Sequence, residues 1–240
     1  MNQLPVGLYL IPVLISESSQ INVLPPVVLD TVGKIRHFLC EDIRSARRFV
    51  SSLKVHPSVE NLDFELLDKD TPSTELDALM EPLRQGFSIG VLSESGCPGV
   101  ADPGSLAVRY AHRKGIKVIP LTGPSSILLA LMASGLNGQR FAFHGYLPIE
   151  SRERVRKIKS LELESLEKDQ TQIFIETPYR NQALLKDLVA NLRNDTDLCV
   201  AVNLTGSTEN IMTMTASEWR KRQLLMEKTP AVFLFLAARK

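Results

Sequence analysis

From Leu8 to about residue 121 the chain alternates short, continuously apolar runs with stretches whose apolar residues recur at helical spacing, and this alternation is what most limits its fold. The runs are Leu8 to Ile15, His37 to Cys40, Phe64 to Leu67, Ser88 to Leu92 and Lys117 to Leu121. A strand that is apolar along its length, rather than at alternate positions, is one buried on both faces. Between the runs, Ala46, Phe49, Val50 and Leu53, and then Leu76, Leu79, Met80 and Leu83, share the i, i+3, i+4, i+7 spacing, so each helix offers one stripe to a core. Gly86 and Gly115 stand where a residue with positive φ ends a helix, and His112, Arg113 and Lys114 fill a last turn, where positive charge suits the dipole. The pattern predicts an α/β unit with a parallel sheet covered on both faces.

The pattern changes at the corner Thr122-Gly123-Pro124-Ser125-Ser126. Beyond it the spacing predicts a helix from Ile127 to Ser134, a strand from Phe141 to Leu147 and a charged helix from Ser151 to Lys168. A strand from Gln172 to Ile175 and a helix from Asn181 to Leu192 follow. The strands Leu198 to Leu204 and Ile211 to Thr215 are too close together for a helical crossover and are expected to be antiparallel. A helix from Ser217 to Glu227 and a strand from Ala231 to Ala237 close the chain. Two α/β domains result, 1–121 and 122–240, the second with a mixed sheet.

Composition excludes whole classes of function. With 44% hydrophobic and 23% charged residues the chain is neither disordered nor fibrous, and a formal charge of +1 gives no general attraction to nucleic acid or membrane. Its 3 cysteines, Cys40, Cys97 and Cys199, form no C-x-x-C pair, and its 4 histidines have no ligand spacing, so neither a disulfide framework nor a metal site is expected. A reducing cytoplasm fits best. The apolar run near the start lacks a basic flank and is too short to span a bilayer, so it reads as a first strand. Phosphate-loop, dinucleotide, zincin and α/β-hydrolase motifs are all missing.

The stretch Leu92-Ser-Glu-Ser-Gly-Cys-Pro-Gly-Val-Ala-Asp-Pro-Gly104 leaves an apolar strand and enters a helix that Ser105 is expected to cap. In a parallel sheet this is the carboxyl end of a strand, where ligands bind. Gly96, Gly99 and Gly104 permit close backbone approach, Pro98 and Pro103 stiffen the path, and Glu94 and Asp102 supply acceptors, a set suited to a cationic or nucleoside-like ligand. Read blandly, it is a rigid turn. Glu41 and Asp42 close another strand, and Arg44, Arg47 and Arg48 follow on the helix face opposite the apolar stripe. They are either a solvated face or the wall of a cleft. Five basic residues between Arg152 and Lys159 either grip phosphates or belong to a solvated helix of mixed charge.

These motifs, in order, carry a resemblance. Glu41-Asp42-x-Arg44, Ser93-x-Ser-Gly-Cys-Pro98 with Ala101-Asp-Pro-Gly104, Thr122-Gly-Pro-Ser-Ser126, Gly145-Tyr-Leu-Pro148 and Glu176-Thr-Pro-Tyr-Arg180 resemble the tetrapyrrole methylase superfamily, closest to its 16S ribosomal RNA cytidine 2′-O-methyltransferase branch. The resemblance implies two α/β domains with S-adenosylmethionine in the cleft between them, a homodimer, and RNA as methyl acceptor. It implies cofactor contacts from Ile15, Glu94, Gly96, Cys97, Pro98, Val100, Asp102, Ser125 and Ser126. Ile175, Glu176, Thr177, Ala201, Val202, Asn203, Pro230 and Ala231 resemble the remaining cofactor-lining segments. Glu41 and Asp42 are then the candidate bases, and Arg44, Arg47, Arg48 and Arg180 the candidate phosphate contacts.

The chain also departs from that branch. It has Val13-Leu14-Ile15-Ser16-Glu17-Ser18 for Thr-Pro-Ile-Gly-Asn-Leu, Glu94 and Cys97 for an Asp and a Thr, and Val202-Asn203-Leu204-Thr205-Gly206 for Arg-Glu-Leu-Thr-Lys. Fold and cofactor tolerate these losses. A non-catalytic module of the same fold, or a methyltransferase with a tetrapyrrole or protein acceptor, remains the alternative.

Overall fold

A computed structural model describes residues 4–16, 23–72, 74–223, 225–226 and 228–238. The chain divides into two compact units, Met1–Ser125 and Ser126–Lys240.

The first unit is built on a five-stranded, wholly parallel sheet in the order β3-β2-β4-β1-β5. Its strands are β1 (Leu8–Ile11), β2 (His37–Cys40), β3 (Asp63–Leu66), β4 (Ile89–Leu92) and β5 (Val118–Pro120). The first run stops at Ile11, four residues short of its expected end, because Pro12 cannot donate to a neighbouring strand. Helices α1 (Pro26–Val32) and α2 (Ile43–Ser52) cover one face, where Tyr9, Ile11, Phe38, Val28 and Val50 form a core. Helices α3 (Leu76–Leu79), α4 (Glu81–Arg84) and α5 (Gly104–Arg113) cover the other, around Leu8, Leu39, Val91 and Tyr110. The single helix expected around Leu76 to Leu83 is two short ones. Pro82 has no N–H for the preceding turn, and the chain breaks at Met80 (φ −95°, ψ 3°). Helix α1, with Pro26 in its first turn, was not foreseen in the sequence.

The second unit carries a mixed sheet in the order β6-β7-β10-β8-β9. Strands β6 (Phe141–Tyr146) and β7 (Thr171–Glu176) are parallel, while β8 (Asp197–Val202), β9 (Asn210–Thr215) and β10 (Ala231–Leu236) pair antiparallel. Helix α6 (Ser126–Ser134) lies on one face against β8, β9 and β10. Helices α7 (Ser151–Lys168), α8 (Asn181–Asn191) and α9 (Ala216–Trp219) lie on the other, over Phe174, Phe233 and Phe235. The last helix is one turn, not the expected run from Ser217 to Glu227, the end of which lies outside the described residues. Thr215 and Glu218 close it in a reciprocal capping box. Within α7, Arg154 is only 6% exposed and pairs with Asp187 at 2.5 Å, so the basic run is not one open phosphate grip. Among the described residues no helix is long and apolar enough to cross a membrane.

Candidate active site

At the carboxyl end of the parallel sheet, three loops of the first unit are tied together. The N–H of Val13, after β1, donates to the Gly96 carbonyl at 2.9 Å, and Ser93 Oγ donates to the same oxygen at 3.1 Å. Cys97 Sγ reaches the Pro124 carbonyl at 3.4 Å. Gly96 has φ +73°, and a Cβ there would stand 3.3 Å from Ile15 Cγ2, so both backbone conformation and space call for glycine. Ile15, Gly96, Cys97 and Pro124 are thus held close together, Pro98 and Ser125 are their chain neighbours, and Val100 is exposed. Of the first loop, Glu17 and Ser18 lie outside the described residues.

The helix after this loop is not capped as expected. Its N-cap position is Pro103, and no side chain caps it from Ser105. Asp102 does related work from inside the loop. Its Oδ1 accepts from the N–H groups of Gly99 (2.9 Å) and Gly104 (2.7 Å), which binds the turn to the start of α5. That oxygen is committed to the loop and is not available to a ligand. Asp102 Oδ2 is buried and, among the described residues, receives no hydrogen bond from an N–H group.

Glu41, just past β2, shares with Asp102 and Glu94 the wall of a cavity of about 530 Å³. Its carboxyl is pushed up to about 7, first by burial, then by the negative charge of Asp102 and the hydrogen bond the protonated acid makes to it, then by Glu94. A weaker opposite pull comes from a backbone hydrogen bond at Glu94. Asp42 is different. It is the N-cap of α2 and accepts from Ser45 N at 2.6 Å, and those hydrogen bonds, with smaller help from Arg44 and Arg48, hold its carboxyl below the usual range. Two adjacent acids that look interchangeable in sequence therefore differ sharply: one is a helix cap, the other an acid poised near neutrality. Burial and the negative charge of Asp102 raise the one, and the hydrogen bonds from Ser45 lower the other.

The four candidate phosphate contacts also divide. Arg44, Arg47 and Arg48 are exposed on α2, but the Arg47 guanidinium lies 5.4 Å from the centroid of the Phe64 ring. Arg180 is bound inward, with Nη2 at 2.6 Å from Glu176 Oε1 and Nε at 3.3 Å from Thr177 Oγ1.

In the second unit the antiparallel register sets Ala231 opposite Glu176 on one side and Val202 on the other. Segments 175–177, 201–203 and 230–231 therefore meet at one end of the sheet. Ala201 is fully buried and can offer only its backbone. Glu176 Oε2, Asn181 Oδ1 and Thr229 Oγ1, also at this end, are buried without a hydrogen-bond partner, and neither Asn181 nor Thr229 carries a sequence motif that would mark it. The altered block after β8 is an ordered turn. Asn203 takes φ +50°, which asparagine tolerates better than most side chains, and donates to Thr208 Oγ1 at 2.7 Å. A Cβ on Gly206 would come within 2.5 Å of the Asn203 side chain. The exchanges at these two positions thus belong together.

A family model described as Tetrapyrrole (Corrin/Porphyrin) Methylases matches residues 27–219. Ribosomal RNA small subunit methyltransferase I of Vibrio cholerae is 31% identical over 211 residues, 88% of this chain and 69% of that protein. The protein of the same name from Buchnera aphidicola (subsp. Acyrthosiphon pisum) is 30% identical over 238 residues, 98% of this chain and 80% of the other. Among solved structures, the methyltransferase CobJ superposes with a TM-score of 0.62 at 19% identity, covering 98% of this chain and 96% of that one. Diphthine synthase does so with a TM-score of 0.60 at 15% identity, covering 96% and 89%. At such identities the structures speak for the fold alone.

Proposed function

Because this chain belongs to the tetrapyrrole (corrin/porphyrin) methylase family, we propose that it transfers a methyl group from S-adenosylmethionine to a hydroxyl oxygen of ribosomal RNA. What carries the reading is its likeness, over most of its length, to proteins named as small-subunit ribosomal RNA methyltransferases.

The residues present fit such a cofactor. Gly96 and Gly99, at φ +73° and +80°, leave the backbone of their loop free of side-chain bulk. Buried oxygens that lack donors among the described residues, Glu176 Oε2 and Asn181 Oδ1 in the second unit, suit a cationic ligand rich in N–H groups. In the first unit we assign its binding to Ile15, Gly96, Cys97, Pro98, Val100 and Ser125. In the second, Ser126 and the sheet end formed by Glu176, Val202 and Ala231 are assigned to it. When bound, S-adenosylmethionine supplies an electrophilic methyl on a neutral leaving group.

Little covalent help is then needed from the protein, whose residues orient the acceptor and move one proton. Glu41 is the assigned base. A 2′-hydroxyl attacking in line loses its proton as the new O–C bond forms, and a carboxylate titrating near 7 is suited to take it at neutral pH. Asp102 tunes Glu41 and fixes the loop without touching the acceptor. Arg44 and Arg48, exposed on α2, are the cations of that helix assigned to RNA phosphates. The reading carries with it a cytoplasmic homodimer. Titration calorimetry with S-adenosylmethionine tests the cofactor step: one site per chain is expected, and no heat with no thermal shift at saturating cofactor would refute it.

A further inference from the structure

Strand β1 lies between β4 and β5, yet its two side chains on the α5 face are treated unequally. Leu8 is completely buried, whereas Leu10 is only partly buried. Helix α5 leaves the upper part of β1 uncovered, and a cavity of about 640 Å³ opens there. Leu10, Val108 and Pro98 give it an apolar floor, and Arg109, His112 and Arg113 stand on its α5 side. Its size is within the range of small-ligand sites, about 300 to 1,000 Å³. All of these residues belong to the first unit.

The three basic side chains are exposed, and among the described residues none of them has an ion-pair partner. The contrast with other cations of the first unit is informative. Lys114 lies 3.6 Å from Asp77, Arg84 is paired with Asp77 and Glu81, and Arg47 rests on Phe64. Unpaired arginines beside an apolar hollow, on a chain whose net charge is +1, form a local field for an anion that also has an apolar body. A single nucleotide of an RNA strand has that composition: a flat base to cover Leu10 and Val108, and phosphates on either side to meet guanidinium groups.

We propose that this cavity is a nucleotide subsite, which seats one unstacked base of the RNA on Leu10, Pro98 and Val108 and binds the flanking phosphates through Arg109 and Arg113. This rests on the RNA reading above and gives it a second contact surface, on α5 in addition to α2. Pro98 belongs both to this wall and to the loop assigned to the cofactor, so a base seated here would lie beside that loop.

The test is photo-crosslinking of the full chain to a short single-stranded RNA carrying thiouridine, with the crosslinked peptide mapped. The expected attachment is within residues 98–113. Arg109→Ala with Arg113→Ala should raise the KM for RNA about tenfold and lower the slope of log affinity against log salt by about 1.4. The heat of S-adenosylmethionine binding should not change. Val108→Trp, which fills the hollow without removing charge, should abolish the crosslink and leave that heat intact. The subsite is overturned if crosslinks map to α2 alone, with both α5 variants behaving as wild type, even when the protein methylates RNA. Methyl transfer absent but crosslinking at α5 present would refute the methyltransferase reading and leave the subsite standing.

Discussion

Glu41, just past β2, and Asp102, in the loop after β4, bring two carboxyls together on one cavity wall. Asp102 spends one oxygen on the N–H groups of Gly99 and Gly104, which fixes the carboxylate whose charge bears on Glu41. Burial first, and the negative charge of Asp102 second, push the Glu41 carboxyl up to about 7.

Glu41→Gln should therefore lower methyl transfer by about 100-fold or more, the usual weight of a general base, with cofactor affinity retained. The wild-type rate should rise with pH through about 7 and then level off. Steady-state rates of both proteins across pH check this, and an unchanged profile in the variant would remove Glu41 from the chemistry.

The same acid makes a signed prediction for stability. Its folded pKa, about 7, lies above the ordinary value of 4.5, so the folded state holds the extra proton between those values. Its stabilising contribution is present below pH 4.5 and is lost as pH rises through 7. Glu41→Gln should thus be more stable than wild type above pH 7, by on the order of 1 kcal/mol once solvent screening is allowed for, and this difference should vanish in acid. Urea denaturation at the two extremes reads it directly.

Gly96→Val should lose cofactor binding and about 1 to 2 kcal/mol of stability, because a β-branched side chain at φ +73° is strained and its Cβ meets Ile15 and Pro124. Calorimetry and thermal denatured fraction should move together. Retained cofactor heat would show that this loop does not approach the ligand.

Arg44→Ala with Arg48→Ala should weaken RNA binding and reduce the salt slope by about 1.4, with cofactor binding unaffected. Arg47→Ala should do less to RNA and more to stability, since its guanidinium packs on Phe64. Filter binding over a range of salt separates the two.

What the sequence revealed follows physical lines. The parallel strands were legible because Phe38, Leu39, Val91 and their neighbours are buried on both faces and leave continuous apolar runs. Helix α7 was legible in full, from Ser151 to Lys168, because nothing interrupts its pattern. The break at Met80 needed attention to Pro82, and α1 is a short run of β-branched residues that reads as easily as a strand. The division of labour between Glu41 and Asp42 has a local half, the cap that Asp42 places on Ser45, and a half set by the fold alone, the burial of Glu41 beside Asp102. The hollow beside Leu10 was hidden for a similar reason: an apolar residue in a run looks the same whether or not a helix reaches far enough to cover it.

Small ribosomal subunits from a strain that lacks this protein, incubated with the purified chain and methyl-labelled S-adenosylmethionine, put the central claim to its most direct test. Label should appear on the ribosomal RNA, at a 2′-oxygen, and should fall away with Glu41→Gln. Label on protein or on an added tetrapyrrole, or calorimetric binding of the cofactor with no label on any acceptor, would contradict it.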